Sequence, residues 1–180
     1  IERARQEAAS RNLDITFAVA DFRYLQTQVQ GTYDIVLSCD NAVPHLIADG
    51  DLYAVAHSMK TRLKPGGLLL ISMRDYDHEL RERRRTTTPY AYEHDGGKRI
   101  IFQAWDWIGD TPVYRLHHFI VKQHGEEWET LHRETEYRAI RRDELTNVLE
   151  MSGFINVRWH MPADTGFYQP IVTAHAPAEI

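Results

Sequence analysis

Residues 63–73 have the sequence LKPGGLLLISM, which places a turn directly before an uninterrupted apolar run. Pro65, Gly66 and Gly67 favour the end of a helix, since none of the three continues one well. A short run that is apolar at nearly every position is typical of a strand buried on both faces. We therefore predict a strand over residues 68–73, followed by the polar sequence RDYD that begins at Arg74.

The residues before this strand predict an alternation of helices and strands. Asp49 or Asp51 can cap a helix that runs to about Leu63. Two further apolar runs, 15–20 and 35–39, each lie next to an aspartate. Buried strands that alternate with amphipathic helices indicate an α/β protein with a parallel sheet covered on both faces. The predicted apolar face of the helix is Leu52, Val55, Ala56, Met59 and Leu63.

The second half of the chain has a different pattern. Residues 98–140 contain three long segments rich in aromatic and β-branched residues, separated at 109–110 and 124–125 by turn-forming pairs. This pattern predicts a three-stranded antiparallel insert. A last helix over 142–151 and strands near 155–159 and 167–174 then complete one domain over 1–180.

Composition restricts the function. The 180 residues carry 21 Lys and Arg against 26 Asp and Glu, a net charge of −5, which does not favour binding to nucleic acid. No apolar run approaches the ~20 residues needed to cross a membrane. A single cysteine, Cys39, excludes an internal disulfide and favours the cytoplasm.

Three predicted strands end in polar clusters, at 21–23, 39–41 and 74–77. Parallel strands bring such ends to one edge of the sheet, where α/β proteins bind small molecules. No phosphate-binding glycine loop, GxSxG serine or HExxH or CxxC motif accompanies them. His117 and His118 are adjacent on a predicted strand and point to opposite faces, so we expect no metal site.

Three stretches resemble class I S-adenosylmethionine-dependent methyltransferases. Residues 33–46 (YDIVLSCDNAVPHL) are similar to the fourth strand and following loop of that family, and residues 63–70 to its L-K/R-P-G-G fifth-strand motif. Residues 20–23 (ADFR) match its acidic position after the third strand. The loop at 41–46 and the cluster at 74–77 are most similar to the glycine/sarcosine N-methyltransferase branch. The resemblance implies a Rossmann-like, three-layer fold with a mostly parallel sheet and an antiparallel insert after the fifth strand.

The resemblance also implies S-adenosylmethionine as cofactor, converted to S-adenosylhomocysteine. Asp21 would accept a hydrogen bond from the adenine amine, and Phe22 would pack near the adenine ring. His45 would approach the cofactor from the loop after the strand. Three consecutive residues would line the methionine moiety and the transferred methyl group: Cys39, Asp40 and Asn41.

Catalytic roles are expected for Asn41 and Arg74, because the Arg74 guanidinium suits a substrate carboxylate. The resemblance predicts a small-molecule substrate, an amine or amino acid methylated on nitrogen. A small-molecule O-methyltransferase and a non-catalytic binding subunit of the same fold remain alternatives, and a homo-oligomer is compatible with each. The aromatic residues of the insert would either cover the site or pack against the sheet: Trp105, Trp107, Tyr114 and Trp128.

Two features depart from the family pattern. The glycine-rich loop and the acidic residue that binds the ribose are absent from the sequence, and the opening helix resembles the one that follows that residue. We therefore expect both features, and the first two strands, to lie upstream of Ile1, which leaves runs 15–20 and 35–39 exposed on one side. Asp40 stands where the N-methyltransferase branch has a small residue.

Overall fold

The computed structural model describes residues 1–178, which form helices and two separate β-sheets. The helices are α1 (Glu2–Ser10), α2 (Leu25–Gln28), α3 (Asp49–Thr61), α4 (Tyr76–Glu82), α5 (Arg142–Met151) and α6 (Pro162–Thr165). The strands are β1 (Tyr33–Ser38), β2 (Leu63–Ser72), β3 (Tyr90–His94), β4 (Gly97–Trp107), β5 (Val113–His124), β6 (Glu127–Arg138), β7 (Ile155–His160) and β8 (Ile171–His175).

The first sheet, which we call the core sheet, has the strand order β1-β2-β8-β7. β1 and β2 are parallel and are connected through α3, whereas β2–β8 and β8–β7 are antiparallel. Leu69 of β2 is completely buried, as the apolar run predicted. The predicted α/β class is confirmed, although this sheet contains one parallel pair, not a parallel majority.

The predicted strand over residues 15–20 is wrong in the described structure. Residues 13–20 contain no regular secondary structure, and Val19 is 87% exposed. A strand needs a neighbour to accept its backbone hydrogen bonds, and β1 pairs with β2 alone. The expected exposure of the run at 35–39 is observed: Ile35 and Leu37 of β1 are more than half exposed.

The second sheet, which we call the insert sheet, has the order β3-β4-β5-β6 and is antiparallel throughout. The three predicted strands correspond to β4, β5 and β6. β3 is a fourth strand that the sequence analysis did not predict, and it pairs with β4. The helix α4, which begins at the N-cap residue Asp75, also went unpredicted.

One buried cluster joins the two sheets. It contains Leu69 of the core sheet, Val55 of α3 and Leu149 of α5 together with Trp105 and Tyr114 of the insert. The insert therefore packs with one face against the α/β part and presents its other face to solvent. No helix among residues 1–178 is long and apolar enough to span a membrane.

Candidate functional site

The site is organised by a tight turn at the carboxyl end of β1. Asp40 and Asn41 both have positive φ angles, 58° and 64°, in the left-handed region that non-glycine residues seldom adopt. β2 holds this turn: Ser72 accepts hydrogen bonds from the Asp40 amide through Oγ at 2.9 Å and from the Asn41 amide through its carbonyl at 3.3 Å. Two consecutive strained residues fixed by a neighbouring strand are typical of a functional position.

Asn41 connects the ends of β1 and β2. Its buried side chain accepts a hydrogen bond from the Arg74 backbone amide at 2.7 Å through Oδ1. Two of the three predicted clusters, 39–41 and 74–77, are thereby joined. Asn41 therefore positions the backbone of Arg74 through its side-chain oxygen.

Arg74 extends from the core sheet into the insert. Its guanidinium donates to Tyr114 Oη at 3.3 Å and to Gln103 Oε1 at 3.1 Å, and it lies 5.0 Å from the Trp105 ring centroid and 5.7 Å from that of Tyr137. No carboxylate among residues 1–178 forms a salt bridge with it. A partly buried guanidinium without a counter-ion favours an anionic ligand.

Buried tyrosines surround this cation. Tyr114 and Tyr76 share a hydrogen bond between their hydroxyl groups at 3.0 Å. Burial raises the pKa of both phenols, so they remain neutral. The tyrosines therefore orient Arg74 without neutralising it.

Arg74 and Asp40 both line a cavity of about 380 Å³, which we call the polar groove. Asp40 accepts hydrogen bonds from Tyr168 Oη at 2.6 Å and from Gln169 Nε2 at 3.4 Å. The bond from Tyr168 to the Asp40 carboxylate raises the pKa of Tyr168. The other acids of the groove have arginine partners, since Asp75 pairs with Arg142 and Glu79 with Arg84. The full lining is Asp40, Asn41, Arg74, Asp75, His78, Glu79, Arg84, Pro162, Tyr168, Gln169 and Pro170.

A second cavity of about 610 Å³, which we call the apolar groove, is next to the polar groove along the chain: Cys39 and Ala42 line it, and the two residues between them, Asp40 and Asn41, line the polar groove. Its volume suits a drug-sized or nucleoside-sized ligand. Phe22 and His45 also border a neighbouring cavity that includes Asp21. The lining of the apolar groove is Ala20, Phe22, Leu25, Val36, Leu37, Ser38, Cys39, Ala42, His45 and Met59.

Asp21 lies at this end of the site in a local ion-pair network. Its carboxylate accepts hydrogen bonds from the Arg23 backbone and side chain, which lower its pKa, and Arg23 also pairs with Asp51. Asp21 is thus ionised and fixed at the start of a 3₁₀ turn over Phe22–Tyr24.

His45 lies in the short helical turn after β1 and faces the insert. Its ring centroid is 4.2 Å from that of Tyr137, and its Nδ1 is 3.5 Å from Thr135 Oγ1. Burial, with a smaller contribution from the charge of Arg74, lowers the pKa of His45 below its ordinary value of 6.5. His45 is therefore neutral near pH 7 and can accept a proton or a hydrogen bond.

The structure thus places six of the seven predicted site residues in the lining of the two grooves, and Asp21 lines the neighbouring cavity that Phe22 and His45 also border. It also adds residues that the sequence analysis did not assign to the site: Ser72, Gln103, Tyr137, Tyr168 and Gln169. Of the aromatic residues expected either to cover the site or to pack, Trp105 and Tyr114 are buried beside Arg74, whereas Trp128 is 49% exposed and lies near the β5–β6 turn.

Comparisons with known proteins identify the fold. A family model described as "Methyltransferase domain" matches residues 1–67. DesVI of Streptomyces venezuelae superposes with a TM-score of 0.77 at 16% identity, over 99% of this chain and 72% of that one. An S-adenosylmethionine-dependent methyltransferase from Clostridium acetobutylicum superposes with a TM-score of 0.73 at 15% identity, over 99% and 71%.

This chain has the class I methyltransferase fold. The resemblance stated from the sequence is confirmed at that level. Among curated relatives, the glycine/sarcosine N-methyltransferase of Parasynechococcus marenigrum is 29% identical over 80 residues, which is 44% of this chain. The chain spans only 28% of the length of that relative. Within this fold, the polar groove lies at the carboxyl ends of β1 and β2, where α/β proteins bind ligands, and the apolar groove extends beside the last residues of β1.

Proposed function

We propose that this protein transfers a methyl group from S-adenosylmethionine to the nitrogen of a small amino acid or a related amine that carries a carboxylate. The observation that carries the proposal is the pair of charges in the polar groove, Arg74 and Asp40, which have no salt-bridge partner among residues 1–178. The similarity to a glycine/sarcosine N-methyltransferase supports the same substrate class.

The apolar groove suits the methyl donor. Phe22, Leu25 and Val36 provide apolar surface for a nucleobase, and the ionised Asp21 provides an acceptor at its edge. Cys39 and Asp40 lie at the junction of the grooves, where a sulfonium group would meet the acceptor. When bound, S-adenosylmethionine supplies an electrophilic methyl group on sulfur, and the negative charge of Asp40 favours that cation.

The polar groove suits the methyl acceptor. Arg74 offers a fork of N–H donors that matches a carboxylate. Gln103, Tyr114 and Asn41 fix Arg74, so the acceptor's carboxylate would be bound in one position. Attack on a methyl group requires a collinear approach, and such positioning accounts for a large part of the rate.

Methyl transfer to an amine requires one group that accepts a proton from the acceptor nitrogen. The acceptor nitrogen must be neutral to attack, so an amino acid that arrives as an ammonium must lose one proton before transfer, and the C–N bond then forms as the S–CH3 bond breaks, which gives a methylated ammonium and S-adenosylhomocysteine. Neutral His45 lines the adjacent apolar groove and is available to accept that proton through water.

The test is a methyl-transfer assay on the protein, with any natural sequence that flanks these residues, S-adenosylmethionine and a panel of small amino acids. Mass spectrometry is expected to find S-adenosylhomocysteine and a product heavier by one CH₂ unit, with the methyl group on nitrogen. Matched amines that lack the carboxylate are expected to react far more slowly. Methylation on oxygen, or equal rates with and without the carboxylate, would contradict the proposal.

A further inference from the structure

The solvent-facing side of the insert sheet, opposite the face that carries Gln103 and Tyr114, carries a cluster of metal-ligating side chains. His117 lies on β5 directly opposite Glu134 of β6, and His132 lies two residues before Glu134. Residues two apart on a strand face the same side, so all three side chains share one surface. One ligand atom from each lies within 4.8 Å of the others.

The distances match a shared ion. His117 Nδ1 is 3.0 Å from His132 Nε2 and 3.6 Å from Glu134 Oε2. Zinc binds such atoms at about 2.0–2.2 Å, so ligand atoms this far apart subtend roughly 90–125° at a common ion, close to tetrahedral angles. Two imidazoles and one carboxylate form a three-ligand set that leaves a fourth position open.

Asp106 of β4 orients the central ligand. Its Oδ2 lies 3.0 Å from His117 Nε2, the nitrogen that faces away from the cluster. This carboxylate favours a proton on Nε2, which leaves the Nδ1 lone pair directed at His132 and Glu134. Metal-binding histidines are commonly held by a carboxylate in this manner.

We propose that His117, His132 and Glu134 bind one divalent transition-metal ion of the zinc class. The ion would link β5 to β6 on the outer face, whereas Tyr114 and Leu116 of the same strand face the buried core. The expectation of no metal site considered only ligands close together in the sequence. It overlooked His132, which reaches His117 only through antiparallel pairing.

The experiment is a zinc titration of the chelator-treated protein, followed by calorimetry and by thermal unfolding. Wild type is expected to bind one zinc per chain in the micromolar range or tighter and to unfold at a higher temperature with zinc. His132→Asn is expected to weaken binding at least about tenfold and to lose the thermal shift, as ligand loss requires.

His124→Asn is the matched control, because His124 also lies on β5 and pairs with a β6 glutamate, Glu129, outside the cluster. It is expected to bind zinc as wild type does. Cobalt should give the visible absorption of a low-symmetry site in wild type and His124→Asn but not in His132→Asn. Equal zinc affinities in the two variants, or no saturable binding by wild type, would overturn the proposal.

Discussion

The core sheet and the insert sheet place their polar residues differently. In the core sheet, β2 is apolar along its buried length, and the chemistry-bearing residues follow the strand ends, at Asp40 and Arg74. In the insert sheet, the long strands β4, β5 and β6 carry polar residues throughout, divided between two faces. One face surrounds Arg74, and the other carries His117 and its partners.

This difference assigns different tasks to the two sheets. A strand buried in the core can expose functional groups only where it ends, which limits the polar residues of the core sheet to a short rim. An antiparallel sheet with one solvated face can place functional groups along its whole length. The insert thus contributes Gln103 and Tyr114 as partners of Arg74 while it keeps a separate outer surface.

The largest expected effect is on the free energy of unfolding, which should be more sensitive to truncation in the core sheet than in the insert sheet. Leu69→Ala in β2 removes a fully buried side chain and should lower the free energy of unfolding by about 2–5 kcal/mol. Trp128→Ala in β6 truncates a half-exposed side chain and should cost about 1 kcal/mol or less. Urea denaturation measures both, and equal losses would contradict the assignment of the core.

Arg74→Ala should abolish recognition of the acceptor carboxylate. Loss of a buried charge partner costs about 3 kcal/mol, so kcat/KM for an amino-acid acceptor should fall roughly 150-fold. Arg74→Lys keeps the charge but not the fork and should recover only part of the loss. Arg81→Ala on the exposed side of α4 is the control and should leave kcat/KM unchanged.

Tyr114→Phe tests whether the insert positions Arg74. The change removes the hydroxyl contacts with Arg74 and Tyr76 but keeps the ring. Such hydrogen bonds contribute about 1–2 kcal/mol, so kcat/KM should fall roughly 5- to 30-fold. Tyr92→Phe on β3 is the matched control, and equal kinetics for the two variants would remove the insert from the acceptor site.

The smallest expected effect is the pH dependence that His45 introduces. Its lowered pKa means that the unfolded chain binds more protons than the folded chain between the folded-state pKa and about 6.5. The free energy of unfolding should therefore decrease as the pH drops below about 6.5. Above that pH, His45 should add no pH dependence to it. In urea unfolding from pH 7.5 to 5, His45→Asn should lose less stability than wild type, whereas a constant difference would refute the assignment.

Much of the core sheet could be predicted from the sequence because its signals are local. The run over 68–73 specifies the buried part of β2, although the strand begins earlier, at Leu63, and includes the glycines predicted to precede it. The spacing of Leu145, Val148 and Leu149 specifies α5. The run over 15–20 has the same local pattern but forms no strand, because strand formation also depends on a neighbour that local sequence does not reveal.

The insert contributions could not be predicted because they depend on pairing register. Gln103 and Tyr137 meet Arg74 only after the three strands β4, β5 and β6 pair, and Tyr168 meets Asp40 across 128 residues of sequence. Without the register, alternation indicates which residues share a face of one strand but not which residues of different strands face each other. Asp40 and Asn41 were predicted from resemblance, but their strained backbone has no sequence signal beyond an asparagine that tolerates it.

The central claim is that donor and acceptor bind to separate grooves that meet at Cys39 and Asp40. A crossed measurement tests it directly: the Kd for S-adenosylmethionine and the KM for the acceptor, each in Asp21→Asn and in Arg74→Ala. Asp21→Asn should weaken donor binding about tenfold and leave the acceptor KM unchanged, and Arg74→Ala should do the reverse. If Arg74→Ala weakens donor binding as strongly as Asp21→Asn does, the two-groove account is wrong.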